Sequence, residues 1–133
     1  MSPNKKLYKP EYSLELFRIA KGDLASAKEL ASVSREGRLE NVVYLAQQSV
    51  EKTLKAVLNH LRIAFPLVHE LGTLVALFPD ENLPPGDFDL SALNPYASSM
   101  RYEEPNSILS KEEVDSAIKA ADSVLVWAEK FFE

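Results

Sequence analysis

The sequence predicts an all-α protein, a four- to five-helix up-and-down bundle. Apolar residues recur at spacings of three and four along most of the chain, which is the period of an amphipathic helix. No segment shows the alternation of apolar and polar residues that indicates a strand. The 133 residues, 46% of them hydrophobic, suit a single domain with one core, so we expect residues 1–133 to form one domain.

The first half of the chain predicts two long helices. Residues 1–12 contain two prolines and mixed charges, so we expect a loosely ordered N-terminal arm there. The first helix should run from about residue 13 to 35, and Gly37 is well placed to end it. The second should run from about residue 39 to 62, with a favourable Glu51–Lys55 pair and with Pro66 at or beyond its end. Its predicted apolar stripe consists of Val43, Ala46, Val50, Leu54, Val57 and Leu61.

The second half predicts shorter elements and one more long helix. A short helix is expected over about residues 69–78, followed by a proline-rich loop over 79–89. Another short helix should lie within residues 90–100, kinked or divided by Pro95, and residues 101–109 should form a second loop. The last helix opens with Ser110 and Glu113, which are spaced as a capping box, and continues to the C-terminus.

Composition and motifs exclude several classes of function. The formal net charge of −5 argues against nucleic-acid binding by the whole surface, although it permits a local basic patch. With no cysteine and two histidines, cysteine chemistry is excluded and a metal site is not expected. The phosphate-loop, dinucleotide-binding, zinc-protease and serine-hydrolase motifs are absent, and nothing predicts a cofactor. No signal peptide or membrane-spanning run is readable, so we expect a cytoplasmic protein.

One face of the second helix carries the most informative polar residues. At 100° per residue, five side chains fall within about 80° of one another, opposite the apolar stripe. Three cations and two amides in a line could hold a phosphate or a nucleotide. The other interpretation is a solvated helix face, because lysine and arginine at this spacing are common on surfaces. The five residues are Gln48, Lys52, Lys55, Asn59 and Arg62.

Two further positions could carry chemistry. Arg62 and His69 lie seven residues apart across a predicted turn, and such a pair could stabilise charge and transfer a proton in a ribonuclease. They could equally end one helix and begin the next. Arg101-Tyr102 could face a cleft between helices, or Arg101 could pair with a nearby carboxylate. His60 has no evident partner.

Three segments together resemble a known family. The run LAQQSVEKTLKA over residues 45–56 is similar to the aQQaaEKalKA signature of HEPN domains. The run VHELGTL over residues 68–74 is similar to the tHdLxxL element of that family. Tyr96 followed by Arg101-Tyr102 is similar to the Y…sRY element, and the capped last helix with Trp127 also fits. The likeness extends from about residue 12 to 132.

The resemblance implies more than a fold. HEPN proteins of this type frequently form homodimers, and they are typically encoded beside a minimal nucleotidyltransferase with which they can form toxin–antitoxin pairs. Some members are metal-independent ribonucleases that use an Arg-x(4–6)-His motif at the dimer interface. Others are regarded as nucleotide-binding, non-catalytic partners.

This sequence departs from the ribonuclease members. Their motif lies late in the bundle, near the position of Arg101, and no histidine follows Arg101 here. Our leading hypothesis is therefore a non-catalytic HEPN protein that binds a nucleotide and accompanies a separate minimal nucleotidyltransferase. The alternatives are a homodimeric ribonuclease toxin that uses Arg62 and His69, and a helical adaptor without a ligand. The predicted nucleotide-binding residues are Lys52, Lys55, His69, Arg101 and Tyr102.

Overall fold

The computed structural model describes residues 4–33, 39–86, 90–96 and 109–133. Within these ranges the chain is mostly helical, which confirms the predicted all-α class and helical bundle. In chain order the elements are β1 (Lys5–Lys6), α1 (Pro10–Val33), α2 (Leu39–His60), β2 (Phe65–Pro66), α3 (Leu71–Val75), a first 3₁₀ helix (Asp80–Asn82), a second 3₁₀ helix (Leu90–Tyr96) and α4 (Lys111–Glu129).

Helix α2 is the central element of the bundle. It packs most extensively against α1 and α4, and it also contacts α3 and the second 3₁₀ helix. Because it has neighbours on several sides, its buried surface is much wider than the predicted apolar stripe. Burial extends to its polar residues Gln47, Ser49, Glu51, Thr53 and Asn59, which are at most 4% exposed. Each of them must find a partner inside the protein, since an unpaired buried polar group is costly.

Residues 4–12 of the N-terminal arm contain regular structure that the sequence did not predict. Helix α1 begins at Pro10, and β1 pairs antiparallel with β2, placing Lys6 opposite Phe65. The buried Asn59 side chain accepts a hydrogen bond from the Tyr8 amide at 2.9 Å and donates to the Lys9 carbonyl at 3.0 Å. Pairs of two residues are too short to leave a periodic signal, so the sequence could not predict this strand pair.

Helix α2 ends in a Schellman motif. Arg62 has a positive φ of 60°, the Ile63 amide bonds to the Leu58 carbonyl at 2.8 Å, and the Arg62 amide bonds to the Asn59 carbonyl at 3.0 Å. Glycine usually occupies this left-handed position. Here the Arg62 guanidinium donates to the Tyr8 carbonyl at 2.9 Å and to the Asn59 carbonyl at 3.3 Å. Arg62 therefore acts as a helix cap that also holds the N-terminal segment.

The short elements differ in extent from the prediction. Helix α3 covers five residues instead of about ten, and turns follow it as far as Phe78. The expected helix within residues 90–100 is a 3₁₀ helix over its described part. The predicted loops fall partly outside the described residues. Leu71, Leu74, Leu90 and Leu93 nevertheless join the core, which explains the apolar spacing in these segments.

Helix α4 confirms the predicted capping box. The Ser110 hydroxyl accepts from the Glu113 amide at 3.1 Å, and the Glu113 carboxylate accepts from the Ser110 amide at 3.2 Å. Near its other end, the Trp127 ring packs edge-on against Phe78 and Phe131. None of the helices in the described part of the chain combines the length and the apolarity that crossing a membrane requires.

Replacing Asn59 tests whether the N-terminal segment depends on α2. Asn59→Ala removes three hydrogen bonds, to Tyr8, Lys9 and Ser13, from a fully buried position. Since the buried Ser13 hydroxyl and two partly buried backbone groups lose this partner, we expect the free energy of unfolding to fall by about 2 kcal/mol in urea titrations. The matched change Asn41→Ala, on the exposed start of α2, should have a much smaller effect. Equal losses in the two variants would contradict the proposed anchoring.

Candidate functional site

A buried carboxylate lies at the centre of the candidate site. Glu51, on α2, is only 4% exposed. Its Oε1 accepts from Gln47 Nε2 at 2.9 Å, and its Oε2 accepts from Lys55 Nζ at 2.8 Å. The three residues lie at successive spacings of four, so one helix face supplies the carboxylate and both of these donors. The half-buried Gln48 extends the network by donating to Gln47 Oε1 at 2.7 Å.

His69 meets this carboxylate from the segment before α3. Its Nδ1 lies 3.0 Å from Glu51 Oε1 and 3.2 Å from Oε2. Gln47 Nε2 also donates to the His69 carbonyl, at 3.4 Å. The His69 side chain is 64% exposed, compared with 6% for the side chain of Glu51. The exposed imidazole of His69 is therefore hydrogen-bonded to a buried carboxylate.

The ionisation of Glu51 fixes the hydrogen-bond roles of His69. Burial alone would raise the pKa of Glu51, but the hydrogen bonds from Lys55, Gln47 and His69 and the positive charge of Lys55 outweigh it, so the pKa lies below its ordinary value. A carboxylate that is ionised can only accept, so Nδ1 of His69 must donate. In the neutral imidazole the lone pair then lies on Nε2, and protonation makes Nε2 a donor.

Nε2 of His69 is the functional atom of this arrangement. Among the described residues it has no hydrogen-bond partner. It can accept or donate a proton, or donate a hydrogen bond to an anion once it is protonated. No group of three or more His, Cys, Asp or Glu side chains in the described ranges is placed to hold a metal ion.

The two predicted lysines are both paired with carboxylates. Lys52 Nζ lies 2.6 Å from Asp23 Oδ2 on α1, and both side chains are partly exposed. Lys55 is more enclosed, and its ammonium is bound to Glu51. The positive charges expected to hold a phosphate are therefore largely balanced within the protein.

The predicted polar line on α2 is corrected for Asn59. That residue is completely buried and binds the N-terminal segment, so the five residues do not form one exposed row. The helical periodicity shows which residues share a face of α2. It does not show that the N-terminal segment covers the end of that face.

Arg62 and His69 are not brought together in the structure. Arg62 bonds to carbonyl oxygens at the C-terminal end of α2, whereas His69 contacts Glu51. Glu51 and Asn59 are separated by roughly 12 Å along the helix axis, at about 1.5 Å per residue. Arg62 therefore matches the alternative interpretation of a helix-ending residue. The other histidine, His60, lies at the end of α2 with its ring 5.3 Å from the Phe132 ring.

Arg101 and Tyr102 lie outside the described residues, so their predicted role stays a prediction. The sequence analysis paired Glu51 with Lys55, which the structure confirms, but it assigned neither Glu51 nor Gln47 to the site. A signal for them was present, because Gln47, Glu51 and Lys55 share the spacing of four that places side chains in contact on a helix.

Comparison with known proteins agrees with this architecture. A profile of the HEPN domain family matches residues 13–131, almost the entire chain. The chain therefore belongs to the HEPN domain family. Searches of curated proteins and of solved structures returned no match.

The acid stability of the fold should report on Glu51. Because its folded-state pKa lies below the ordinary value of 4.5, the ionised carboxylate stabilises the fold above that pH. This contribution is lost as the pH falls through the folded-state pKa. Glu51→Gln lacks it at every pH and leaves Lys55 without its counter-charge, so we expect a loss of about 3 kcal/mol at pH 7. The difference from wild type should shrink steadily below about pH 4.5.

The matched control is Glu15→Gln. Glu15 also pairs with a cation, Arg18, but both side chains are well exposed. The free energy of unfolding of this variant, from urea titrations, should differ little from that of wild type at pH 7 and at pH 3. A Glu51→Gln penalty that did not change between pH 7 and pH 3 would contradict an ionised Glu51.

Proposed function

We propose that this HEPN protein binds a nucleotide phosphate through His69 and acts, without catalysis of its own, as the companion of a minimal nucleotidyltransferase in a toxin–antitoxin-like pair. The observation that carries the proposal is the hydrogen bond that fixes the His69 imidazole to Glu51. Glu51 fixes Nδ1, and Nε2 has no partner among the described residues on a side chain that is 64% exposed. A protonated Nε2 can donate a charge-assisted hydrogen bond to a phosphate oxygen.

The charge around Glu51 supports an anion at this position. Alone, the Glu51 carboxylate would repel a phosphate next to His69. Lys55 Nζ, 2.8 Å from Glu51 Oε2, balances that charge, so protonation of His69 leaves the cluster with a net positive charge. Lys55 thus supports binding by neutralising Glu51, and Lys52 is similarly engaged with Asp23. Both roles differ from the direct phosphate contacts that the sequence suggested.

The position of Arg62 favours binding over catalysis. A ribonuclease needs a group that stabilises the charge of the transition state beside its proton-transfer group. The expected group, Arg62, caps α2 and binds the Tyr8 carbonyl, away from the Glu51–His69 contact. This separation argues against a ribonuclease that combines Arg62 and His69 within one subunit, and a homodimeric ribonuclease that combines them across two subunits stays the alternative. The adaptor alternative leaves the exposed imidazole without a role.

Other parts of the proposal rest on the family and on the sequence. We infer the homodimer and the separate nucleotidyltransferase from the family resemblance of the sequence, and the cytoplasmic location from the sequence expectations. Arg101 and Tyr102 are expected from the resemblance to add contacts to the ligand.

Calorimetric titration with ATP, GTP and a short RNA tests the proposal. We expect wild-type protein, alone or with the nucleotidyltransferase encoded beside it, to bind one of these ligands. His69→Ala should weaken that binding about tenfold or more, the effect of losing one charged hydrogen bond. Its stability should change little, because Glu51 keeps Lys55 and Gln47 as partners. The matched variant His60→Ala should bind like wild type, since His60 lies at the far end of α2.

Three results would contradict the proposal. The first is no detectable binding by the free protein and by the complex. The second is equal binding by His69→Ala and wild type. The third is metal-independent RNA cleavage by the wild type that disappears in His69→Ala, which would make the protein an enzyme.

A further inference from the structure

The segment that carries His69 is attached to the second 3₁₀ helix by one side chain. Asn94, half-buried on that helix, accepts a hydrogen bond from the Leu71 amide through Oδ1 at 2.9 Å. Its Nδ2 donates to Glu70 Oε1 at 2.8 Å. One amide group thus contacts both of the residues that follow His69, and it uses its donor and its acceptor simultaneously.

Glu70 is itself fixed at the start of α3. Its carboxylate accepts from the Gly72 amide at 3.0 Å, and from the Thr73 amide and hydroxyl at 2.5 and 2.7 Å. The hydrogen bond from the Thr73 hydroxyl, followed by those from the two amides and from Asn94, keeps the pKa of Glu70 below its ordinary value. A Cβ at residue 72 would lie 2.9 Å from Glu70 Oε1, so Gly72 leaves room for this carboxylate.

His69 is therefore held from two sides. On the α2 side, Glu51 binds its ring and Gln47 its carbonyl group. On the other side, Asn94 fixes the backbone of the next two residues. A backbone shift at residues 70 and 71 would carry the His69 ring away from Glu51, because His69 directly precedes the two residues that Asn94 binds.

We propose that Asn94 is a positioning residue for nucleotide binding, which holds the imidazole of His69 against Glu51 through its hydrogen bonds to Glu70 and Leu71. The inference rests on the proposed function for the binding step, but the coupling between Asn94 and His69 can be measured without a ligand. Through Asn94, the second 3₁₀ helix becomes part of the nucleotide site although this helix is assigned no contact with the phosphate.

A donor–acceptor exchange tests the role of Asn94. In Asn94→Asp the Leu71 amide keeps an acceptor, but two carboxylates now meet at residues 70 and 94 and repel each other at pH 7.5. The double variant Glu70→Gln with Asn94→Asp restores a donor and an acceptor to this contact, with their direction reversed. Glu70→Gln alone measures the cost of losing the acceptor for the Gly72 amide. The matched control is Asn41→Asp, which adds the same charge on the exposed start of α2.

Two readouts distinguish positioning from a general effect on stability. The first is ATP affinity by calorimetry, where we expect Asn94→Asp to bind about fivefold more weakly than wild type and the double variant to recover most of the loss. The second is the NMR signal of the His69 Nδ1 proton without ligand. It should weaken or shift in Asn94→Asp and return in the double variant, and Asn41→Asp should match wild type in both readouts.

The inference and the proposed function fail in different ways. An unchanged Nδ1 proton signal in Asn94→Asp would overturn the positioning role, even if thermal stability fell. A loss of affinity in the double variant as large as the sum of the losses in Asn94→Asp and Glu70→Gln would also overturn it. The Nδ1 signal could change in Asn94→Asp and return in the double variant although wild type bound no nucleotide. In that case the coupling between Asn94 and His69 would stand and the proposed function would fail.

Discussion

The structure depends on one constraint, the enclosure of α2 by its neighbours. A helix that is buried on most sides cannot send its polar side chains to water, so each must be satisfied internally. Ser49 donates to the Ala20 carbonyl at 2.9 Å, and Thr53 donates to the Ser49 carbonyl at 2.7 Å. The most demanding of these side chains is Glu51, because burying an unpaired charge is far more costly than burying a hydroxyl.

The solution for Glu51 creates the candidate site. Three donors reach its two oxygens, from Gln47, Lys55 and His69. Two of them belong to α2 itself, whereas the third belongs to a side chain that is largely in solvent. The interaction that stabilises the buried charge thus also orients an exposed imidazole. Positioning of this kind, by a carboxylate behind a histidine, lets the outer nitrogen bind or exchange protons with a fixed direction.

The sequence predicts the long helices well and the site only in part. The repeated apolar spacing in α2 and α4 and the Ser110–Glu113 pair are local signals, and the structure confirms the helices and the capping box that they predict. The β1–β2 pair is formed between segments far apart in the chain, so it leaves little local trace. His69 was selected from the sequence as a nucleotide-binding residue, and in the ribonuclease alternative as the partner of Arg62. The structure instead places Glu51 beside it and gives Arg62 a role in ending α2.

Helical periodicity alone was insufficient to predict the carboxylate partners of both lysines. Lys52 and Lys55 do share a face of α2, as predicted, but the fold brings Asp23 of α1 to the first and Glu51 to the second. A helical projection of α2 contains no information about α1, so the Asp23 partner could not be foreseen. The Glu51 partner was predicted from the spacing of four residues, and the structure confirms that pair.

The tautomer of His69 tests the central claim most directly. Two-bond proton–nitrogen NMR spectra at a pH where the ring is neutral would identify which nitrogen carries the proton. The account predicts a proton on Nδ1 in wild type and the loss of this preference in Glu51→Gln. A neutral ring protonated on Nε2 in wild type would show that Glu51 does not hold His69, and it would contradict the account.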